Sequence, residues 1–471
     1  MSKFNALKEP STHTKNRAGG CSYLLSSKMK LVTLLLSSLC SDTFYRSEQQ
    51  LYAELEKYME EVKDAEFVAK ALIYARTVFG MRSITHAGAA IYAKLYGNFP
   101  CSKSFYKGVI KRPDDITEIL AYYFKILNNK SLCKSMQKGL SMAFDKFDNY
   151  QLLKYCGKNK NITLKDSICI LHPTPIERNS KALSDIINGT AHKINTWDSD
   201  VREVFEKGGD MKQVWRNLVF KENTEYMALL RNLRNILEQG DTETQQLALK
   251  KLVDKDHIKK SMVFPFRFLS AYKTIADNKF RKAIDKALNI SLDNVPNFDG
   301  KTAILLDVSG SMEGRPLDIG SMFAACLFKK LDSDIITFTT VARKRTDLNP
   351  CDSIMTLTDE LCRSSFGGTD FACAFSKLQE CYDRIIVLSD MQSWYSSQYG
   401  YTTNQCFKDY KKRYNPNCKL YTFDLAGLST SEFPENNVYL LTGFSDKILD
   451  IMSQVDENPK ALLDAINSIQ L

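Results

Sequence analysis

The sequence predicts an α plus α/β multidomain protein, in which an all-α helical-repeat domain precedes a doubly wound α/β domain. At 471 residues the chain exceeds one ordinary domain, so two or more are expected. From about residue 30 to 290, apolar residues recur three and four positions apart, the helical period. After a turn-rich linker (residues 291–300), short apolar runs alternate with helix-like segments, which is typical of an α/β sheet. We therefore place the domains at residues 14–295 and 300–471.

Within the first domain, separate segments carry the helical pattern. The apolar run LVTLLLSSLC (31–40) is short and interrupted by serines, so it predicts a buried helix and not a membrane span. The clearest amphipathic segments are EFVAKALIYARTVFGMRS (66–83), ITEILAYYFKILNNK (116–130) and EYMALLRNLRNILEQG (225–240). Antiparallel helix pairs stacked side by side would satisfy this pattern, so we expect an irregular helical solenoid.

In the second domain, four apolar runs predict buried parallel strands. They are TAILLD (302–307), DIITFT (334–339), RIIVLSD (384–390) and KLYTFDLAG (419–427). Ligands of such sheets bind beyond the carboxyl ends of the strands, so the residues at those ends are the first candidates for a site.

The charge is distributed unevenly between the two domains. Residues 1–300 carry 47 Lys and Arg against 33 Asp and Glu, a net charge of +14, while residues 301–471 carry 17 against 22, a net charge of −5. A polyanion is the partner that the basic part would attract. A basic surface that only improves solubility would give the same count.

Other features of the composition argue against export, membranes and zinc. Thirteen cysteines without a C-x-x-C pair favour reduced core side chains, and five histidines are too dispersed for a metal cluster. The first residues lack the apolar segment of an export leader. We therefore expect a cytoplasmic protein without membrane association.

Carboxylates and hydroxyls gather at the predicted strand ends. The set comprises Asp307, Ser309, Ser311, Thr369 and Asp390. Hard oxygen ligands of this kind suit Mg²⁺, with Mn²⁺ or Ca²⁺ as alternatives. Because three of them are neutral, the ion could also accept an outside carboxylate or phosphate oxygen. The same residues could instead be helix caps and turn residues of a generic α/β domain.

These five positions resemble the metal-ion-dependent adhesion site of von Willebrand factor A domains. Asp307, Ser309 and Ser311 match its D-x-S-x-S motif, Thr369 matches the threonine of its second loop, and Asp390 matches the aspartate of its third. The resemblance implies a Rossmann-like A domain with a divalent cation and a protein partner at the metal.

The helical part resembles the TROVE module of telomerase, Ro and vault proteins. The matching segments are TKNRAGG (14–20), DTFYRSEQ (42–49), FVAKALIYARTVFGMRS (67–83), MALLRNL (227–233) and FPFRFLSAY (264–272). The order of these segments, with an A domain directly after them, resembles the Ro family. That resemblance implies a ring-like domain of HEAT-like repeats that serves RNA quality control or ribonucleoprotein assembly. Small noncoding (Y-like) RNA would bind on its basic outer surface, and single-stranded 3′ ends of misfolded RNA would enter a central hole.

For the outer RNA contact, the candidates lie in residues 152–173. They are Lys154, Lys158, Lys160, Lys165 and His172. The family pattern matches at Lys158, Lys165, Asp166 and His172, but the turn after Gly157 is shorter and one arginine lacks a counterpart. His172 could instead be a helix-end histidine held by core contacts before Pro173.

For the interior contact, the candidates lie on KSMQKGLSMAFDKF (134–147). Lys134, Lys138 and Lys146 are spaced so that one helical face could present at least two of them. An ordinary exposed face would show the same spacing. Further candidates are Arg76, Arg82, Arg231 and Arg234, although Arg231 could serve a helix end.

The leading hypothesis is a monomeric RNA-binding scaffold without catalytic residues. The alternative is a metal-dependent interaction module, in which the A domain captures a partner carboxylate and the helices support it. A nuclease or phosphatase is the third class, but two-metal hydrolysis usually needs more carboxylates than Asp307 and Asp390 supply.

Overall fold

The computed structural model describes most of the chain. The described residues are 13–38, 47–127, 131–157, 161–191, 197–261, 263, 265–291, 299–363, 367–394, 402–428, 430–433, 438–442 and 460–471. The chain folds into two compact units. The helical unit comprises Leu39–Val214 with Leu462–Leu471, and the sheet unit comprises Met1–Ser38 with Trp215–Ala461.

The helical unit consists of short and medium helices. Its described helices are α2 (Glu48–Val62), α3 (Ala65–Thr77), α4 (Ser83–Tyr96), α5 (Ser102–Val109), α6 (Pro113–Leu127), α7 (Lys134–Ala143), α8 (Asn149–Lys154), α9 (Leu164–Leu171), α10 (Ser180–Asn188) and α11 (Trp197–Lys207). Along the chain, the division between the two units falls within α12 (Met211–Phe220) and at the start of α23 (Ala461–Asn467).

Local sequence signals explain where these helices begin. Capping boxes start α2 at Ser47, α8 at Asp148 and α9 at Thr163, where each side chain accepts from the backbone three residues on. Helix α6 starts at Pro113 with aspartates in its first turn, which suits the positive end of the helix dipole. The amphipathic segments predicted at 66–83 and 116–130 overlap α3 and α6, and the segment 225–240 contains the helices Tyr226–Arg231 and Leu233–Gln239. These predictions of helix are confirmed.

The sheet unit combines helices with all of the described strands. Its helices are α1 (Ser27–Ser37), α13 (Tyr226–Arg231), α14 (Leu233–Gln239), α15 (Thr242–Leu252), α16 (Lys255–Ser261), α17 (Pro265–Thr274), α18 (Asn278–Ser291), α19 (Arg315–Lys330), α20 (Ile354–Leu361), α21 (Phe371–Ser376) and α22 (Thr403–Arg413). Its strands are β1 (His13–Lys15), β2 (Cys21–Leu24), β3 (Thr302–Asp307), β4 (Ser333–Phe338), β5 (Ala342–Lys344), β6 (Arg384–Ser389), β7 (Lys419–Asp424), β8 (Thr430–Ser431) and β9 (Val438–Thr442).

Six strands form the central sheet in the order β5-β4-β3-β6-β7-β9. Neighbouring strands are parallel except at β5, which is antiparallel to β4. The four predicted strands are its centre, so the parallel α/β part of the prediction is confirmed. Strands β5 and β9 extend it at the two edges.

Helices cover both faces of this sheet. On one face, α21 and α22 pack over a core that includes Leu305, Phe338 and Phe407. On the other face lies α19, where Gly320 brings the helix backbone close to the sheet. A Cβ there would lie 3.1 Å from the Cδ1 atom of Leu306. Strand β3 is buried along its whole length because both of its faces are covered.

A small second sheet joins the N-terminal segment to the same unit. Strands β1 and β2 form an antiparallel hairpin, and β2 pairs with β8. The segment TKNRAGG, matched from sequence to the start of the helical module, is thus part of a hairpin in the sheet unit.

The two compact units do not divide the chain at the linker predicted from the sequence. Helices α17 and α18 pack on α19 and α20, where Lys273 Nζ lies 2.8 Å from Asp318 Oδ1 and the backbone nitrogen of Met355 donates to Asp285 Oδ1 at 3.3 Å. The ranges 14–295 and 300–471 therefore stay predictions. None of the described helices combines the length and apolar composition that crossing a bilayer requires.

Candidate functional site

The five residues of the predicted cation site lie beside the carboxyl-terminal ends of the central strands β3 and β6. Asp307 ends β3, and Ser309 and Ser311 follow it in a loop with a 3₁₀ turn. Thr369 precedes α21, and Asp390 follows β6. Because β3 and β6 are parallel neighbours, their carboxyl ends bring these loops together.

The three hydroxyls form a connected chain. Thr369 Oγ1 donates to Ser309 Oγ at 3.0 Å, and the Oγ atoms of Ser309 and Ser311 are 3.3 Å apart. The loop after β3 and the loop before α21 are also joined through the backbone, since Gly310 N donates to the Gly367 carbonyl at 3.2 Å. These hydroxyls therefore occupy one small volume.

The two carboxylates differ in how their oxygens are used. Both oxygens of Asp307 accept hydrogen bonds, from Ser309 N at 2.9 Å and from Ser389 Oγ at 2.7 Å. Asp390 Oδ1 accepts from Gln392 N at 3.2 Å. Asp390 Oδ2 is buried, and no donor among the described residues meets it in hydrogen-bond geometry. This oxygen is thus available to a cation.

Electrostatics around these carboxylates also favour a cation. Burial, followed by the charges of Asp307 and Asp424, raises the pKa of Asp390 to about 8. Burial also raises the pKa of Asp307. Two buried carboxylates repel each other, and a positive ion between them would relieve that repulsion.

The donor set is one of hydroxyls and carboxylates only. No three His, Cys, Asp or Glu side chains converge as metal ligands in the described part of the chain, so an ion here would depend on the hydroxyls. Such hard oxygens fit Mg²⁺ or Ca²⁺ better than a soft metal. Asp370, beside Thr369, caps α21 by accepting from Ala372 N at 2.9 Å.

Sequence reasoning did not single out two supporting residues of this site. Ser389 donates to Asp307, and Gln392 lies against Asp390 through both its backbone and its side chain. Ser389 directly precedes Asp390 at the end of β6, so its place was readable from the strand. Gln392 gave no signal of its own.

The RNA-contact candidates fall into several groups. Lys158 and Lys160 lie outside the described residues. Lys134 and Lys138 are exposed on α7, and Lys165 is exposed in the first turn of α9. The two helices are neighbours, since Gln137 Nε2 donates to the Ile170 carbonyl at 3.0 Å.

His172 ends α9 in a left-handed conformation, with a φ of 47°. Its backbone nitrogen donates to the Ile168 carbonyl at 2.9 Å, which closes the helix. The residue is exposed, whereas a histidine held by the core would be buried. Asp166, by contrast, has a structural role because its carboxylate accepts from Thr163 N at 2.8 Å.

Lys146 does not share a helical face with Lys134 and Lys138. Helix α7 ends at Ala143, and the ammonium group of Lys146 donates to the carbonyls of Lys107 and Ile110, the latter at 2.9 Å. Burial lowers the pKa of Lys146. Its charge holds the turn after α5 in place, so the two lysines that the face of α7 presents are Lys134 and Lys138.

Two arginine candidates are also structural. Arg76 is 5% exposed, and its Nη2 lies 2.9 Å from Asp115 Oδ2 and 3.0 Å from Oδ1. His86 Nε2 lies 2.8 Å from the same carboxylate. Arg82 Nη2 lies 2.8 Å from Asp114 Oδ2. Arg76 is buried and paired, so it is withdrawn as an RNA contact, and Arg82 is tied to the same cluster.

Arg231 and Arg234 are both exposed on the sheet unit. Arg234 Nε lies 3.8 Å from Glu238 Oε1, one helical turn away. An exposed pair at that distance stabilises little, so the guanidinium stays accessible.

The structure groups one candidate from the sequence, Lys154, with four cations that the sequence pattern did not single out. We call it the basic surface, and its members are Lys107, Lys111, Arg112, Lys154 and Arg178. The first three lie at the end of α5 and the start of α6, Lys154 ends α8, and Arg178 precedes α10.

Tyr155 and Lys146 connect members of the basic surface. The Arg112 guanidinium lies 5.0 Å from the centre of the Tyr155 ring, and Lys154 Nζ lies 5.9 Å from the same centre. Arg178 Nη2 donates to the Lys146 carbonyl at 3.0 Å. Burial, followed by the neighbouring charge of Arg76, lowers the pKa of Lys111. Positive charge therefore gathers on this side of the helical unit, where the Nε atom of Arg112 also lies 3.1 Å from Asp114 Oδ1.

Comparisons with known proteins place the chain among its relatives. RNA-binding protein RO60 of Deinococcus radiodurans is 21% identical over 463 residues, which is 83% of this chain and 86% of that protein. Telomerase protein component 1 of mouse is 24% identical over 335 residues, and the chain spans only 13% of its length.

A solved structure shows the same fold. The crystal structure of the Deinococcus radiodurans Ro (RSR) protein matches with a TM-score of 0.60 at 17% identity, covering 94% of this chain and 100% of that one. The TROVE domain model matches residues 22–207 and 189–294. Because these matches cover more than half of the sequence, the chain belongs to the TROVE domain family.

Proposed function

We propose that this protein is a Ro-type RNA-binding protein whose helical unit contacts RNA through the basic surface. The observation that carries the proposal is the pair of cations at the Tyr155 ring, Arg112 and Lys154, together with Lys107, Lys111 and Arg178 at neighbouring helix ends. Lys and Arg neutralise phosphates without reading sequence, and the counterions released supply most of the free energy of binding. A relative named for RNA binding, aligned over most of this chain, supports the same interpretation.

A second set of residues extends the proposed interface. Lys134 and Lys138 on α7 and Lys165 and His172 on α9 are exposed on neighbouring helices. Their charge and hydrogen-bonding groups suit a sugar-phosphate backbone. We include them, together with Lys154 of the basic surface, among the RNA contacts.

The finer assignments rest on the family resemblance. We propose small noncoding, Y-like RNA as the ligand of the basic surface and single-stranded 3′ ends of misfolded RNA as a second ligand, bound in a central hole. This would place the protein in RNA quality control or ribonucleoprotein assembly in the cytoplasm. We assign it no bond-making step, and RNA turnover by the purified protein with Mg²⁺ would contradict that assignment.

Fluorescence anisotropy tests the proposed function. Labelled RNA hairpins and single strands should bind the purified protein, and the affinity should fall steeply as salt is raised. RNA that co-purifies with the protein should be sequenced to identify the ligand. Absence of binding to either RNA in dilute buffer would contradict the proposal.

For the sheet unit we propose a divalent cation, Mg²⁺ before Mn²⁺ or Ca²⁺. Asp390 would contact the ion through Oδ2. The hydroxyls of Ser309, Ser311 and Thr369 would contribute neutral oxygens. Asp307 would lie behind these hydroxyls. When bound, the ion would supply a positive centre for an outside carboxylate or phosphate oxygen. Titration with Mg²⁺ tests this site, and Asp390→Asn should abolish binding.

The same oxygen favours a second candidate function. If a cation at Asp390 Oδ2 accepted a partner's carboxylate, the sheet unit would be a metal-dependent protein-interaction module and the helices its support. Loss of partner capture in Asp307→Ala with unchanged RNA affinity would favour this function. Loss of RNA affinity in the same variant would argue against it.

A further inference from the structure

The loop that carries Asp390 is held in an uncommon backbone conformation. Met391, the next residue, has a φ of 57° and is fully buried. The left-handed region is unfavourable for a residue with a Cβ, so the surrounding structure must hold the loop. Within the loop, Ser389 Oγ accepts from Met391 N at 3.0 Å.

The N-terminal hairpin supplies much of the remaining support. Asn16, 5% exposed, donates through Nδ2 to the Ser393 carbonyl at 2.6 Å and to Glu432 Oε1 at 2.9 Å. Its Oδ1 accepts from Gly20 N at 2.8 Å, which fixes the amide orientation. Each polar atom of this buried amide is therefore used.

A second contact reaches the candidate ligand itself. Arg17 N donates to Gln392 Oε1 at 2.7 Å. Gln392 in turn donates to Asp390 twice, from its backbone nitrogen to Oδ1 and from Nε2 to the carbonyl, both at 3.2 Å. Gln392 thus connects the hairpin to the carboxylate whose other oxygen faces the proposed ion.

Steric fit shows that the hairpin is closely seated on this loop. A Cβ on Gly20 would lie 1.8 Å from the Ser393 carbonyl oxygen, a distance that no side chain tolerates. Glu432, which completes the contact, is buried and also accepts from Thr403 Oγ1 at 3.2 Å. The hairpin and the loop therefore form one packed, hydrogen-bonded block.

We infer that Asn16 is a positioning residue of the cation site and that docking of the hairpin and cation binding are coupled. This inference rests on the cation site of the proposed function. Hydrogen-bond partners behind a metal ligand typically contribute about 10- to 100-fold to metal affinity. By linkage, whatever the docked hairpin adds to cation affinity, the cation adds to hairpin docking.

Calorimetric titration of the full chain with Mg²⁺ tests the coupling. Asn16→Ala should weaken Mg²⁺ binding by up to about tenfold, the lower end of the range for a direct partner of a ligand, because Asn16 acts on Asp390 through the loop at Ser393. Ser22→Ala is the matched control, because the Ser22 hydroxyl lies buried in the same hairpin with no partner among the described residues. Its affinity should equal that of the wild type. Equal affinity in a folded Asn16→Ala variant would overturn the inference.

Hydrogen exchange supplies a measurement that does not depend on a folded Asn16 variant. Mg²⁺ should slow amide exchange at Arg17 and Gly20, and this protection should be absent in Asp390→Asn. Binding of Mg²⁺ without added protection would overturn the coupling alone. A wild-type protein that binds no Mg²⁺ would overturn the cation site and the coupling with it.

Discussion

Two groups of basic residues in the helical unit look alike in sequence but differ in surroundings. Arg76 belongs to a buried ion-pair cluster with Asp115 and His86, in which the side chains of Arg76 and Asp115 are only 6% and 0% exposed. Lys107 and Lys154, of the basic surface, lie at or near the solvent. The Asp115 carboxylate neutralises Arg76 inside the fold, whereas the cations of the basic surface lie at the surface, where the Nε atom of Arg112 is 3.1 Å from Asp114 Oδ1.

The role of a basic residue is therefore decided by its partner in the fold and not by its spacing in the sequence. A buried charge is tolerated only when it is paired and hydrogen-bonded. An exposed lysine costs little and keeps its charge for a ligand. Changes in the buried cluster should therefore affect stability, and changes on the basic surface should affect RNA affinity.

The largest expected effect follows from Asp115→Ala. This change leaves Arg76 buried without its partner and removes the acceptor of the Lys111 and Arg112 backbone nitrogens, each 2.9 Å away. Breaking one side of a buried pair costs about 3–5 kcal/mol. Urea unfolding should show this loss, while Glu206→Ala on exposed α11 should change little. A loss below about 1 kcal/mol would mean that the cluster is not a buried pair.

Acid should weaken the same cluster. Burial by itself would raise the pKa of Asp115, but the His86 hydrogen bond and the Arg76 charge outweigh it and hold the pKa well below its usual range. Because the folded pKa is the lower one, this stabilisation is present above the unfolded value of about 3.9 and is lost as pH falls below it.

The measurement is stability against pH. The free energy of unfolding should fall by up to about 1.4 kcal/mol per pH unit through this group below pH 4. Asp115→Asn should make that acid limb shallower. An identical acid limb in the variant would remove Asp115 from the explanation.

Charge reversal on the basic surface should have a smaller, purely functional effect. The double variant Lys107→Glu with Lys154→Glu should lower RNA affinity at least about tenfold in anisotropy assays, because two phosphate contacts become repulsive. Its thermal stability should stay close to the wild-type value. Lys279→Glu with Lys412→Glu makes the same charge change on exposed residues of the sheet unit and should bind RNA almost normally.

The smallest effect is expected for Tyr155→Leu. The Tyr155 ring orients Arg112 and Lys154 through cation–π contacts, each worth about 0.5–1 kcal/mol at exposed sites. Its loss should weaken RNA binding a few-fold. Tyr155→Phe keeps the ring face and should bind like the wild type. Equal losses in both variants would point to the hydroxyl instead.

The sequence predicted the parts of the fold that local pattern determines. The four central strands and the D-x-S-x-S loop were readable because apolar runs ended in carboxylates at Asp307 and Asp390. The hairpin contact was not readable, since Asn16 and Ser393 are 377 positions apart. The basic surface was missed for the same reason, because α5, α6 and α8 assemble it only in three dimensions.

The roles of individual cations were the least predictable feature. Arg76 and Lys107 are equally basic residues of amphipathic helices. Only packing shows that Asp115 neutralises Arg76. Lys146 likewise looked like part of a lysine face until the end of α7 at Ala143 placed its ammonium group against two carbonyls.

The salt dependence of RNA affinity tests the central claim most directly. For single-stranded RNA, the slope of log affinity against log salt becomes shallower by about 0.7 for each phosphate that the protein no longer neutralises. The Lys107→Glu with Lys154→Glu variant should therefore show a slope shallower by about 1.4 than the wild type, while the Lys279→Glu with Lys412→Glu control keeps the wild-type slope. Equal slopes in all three proteins would show that RNA does not lie on the basic surface.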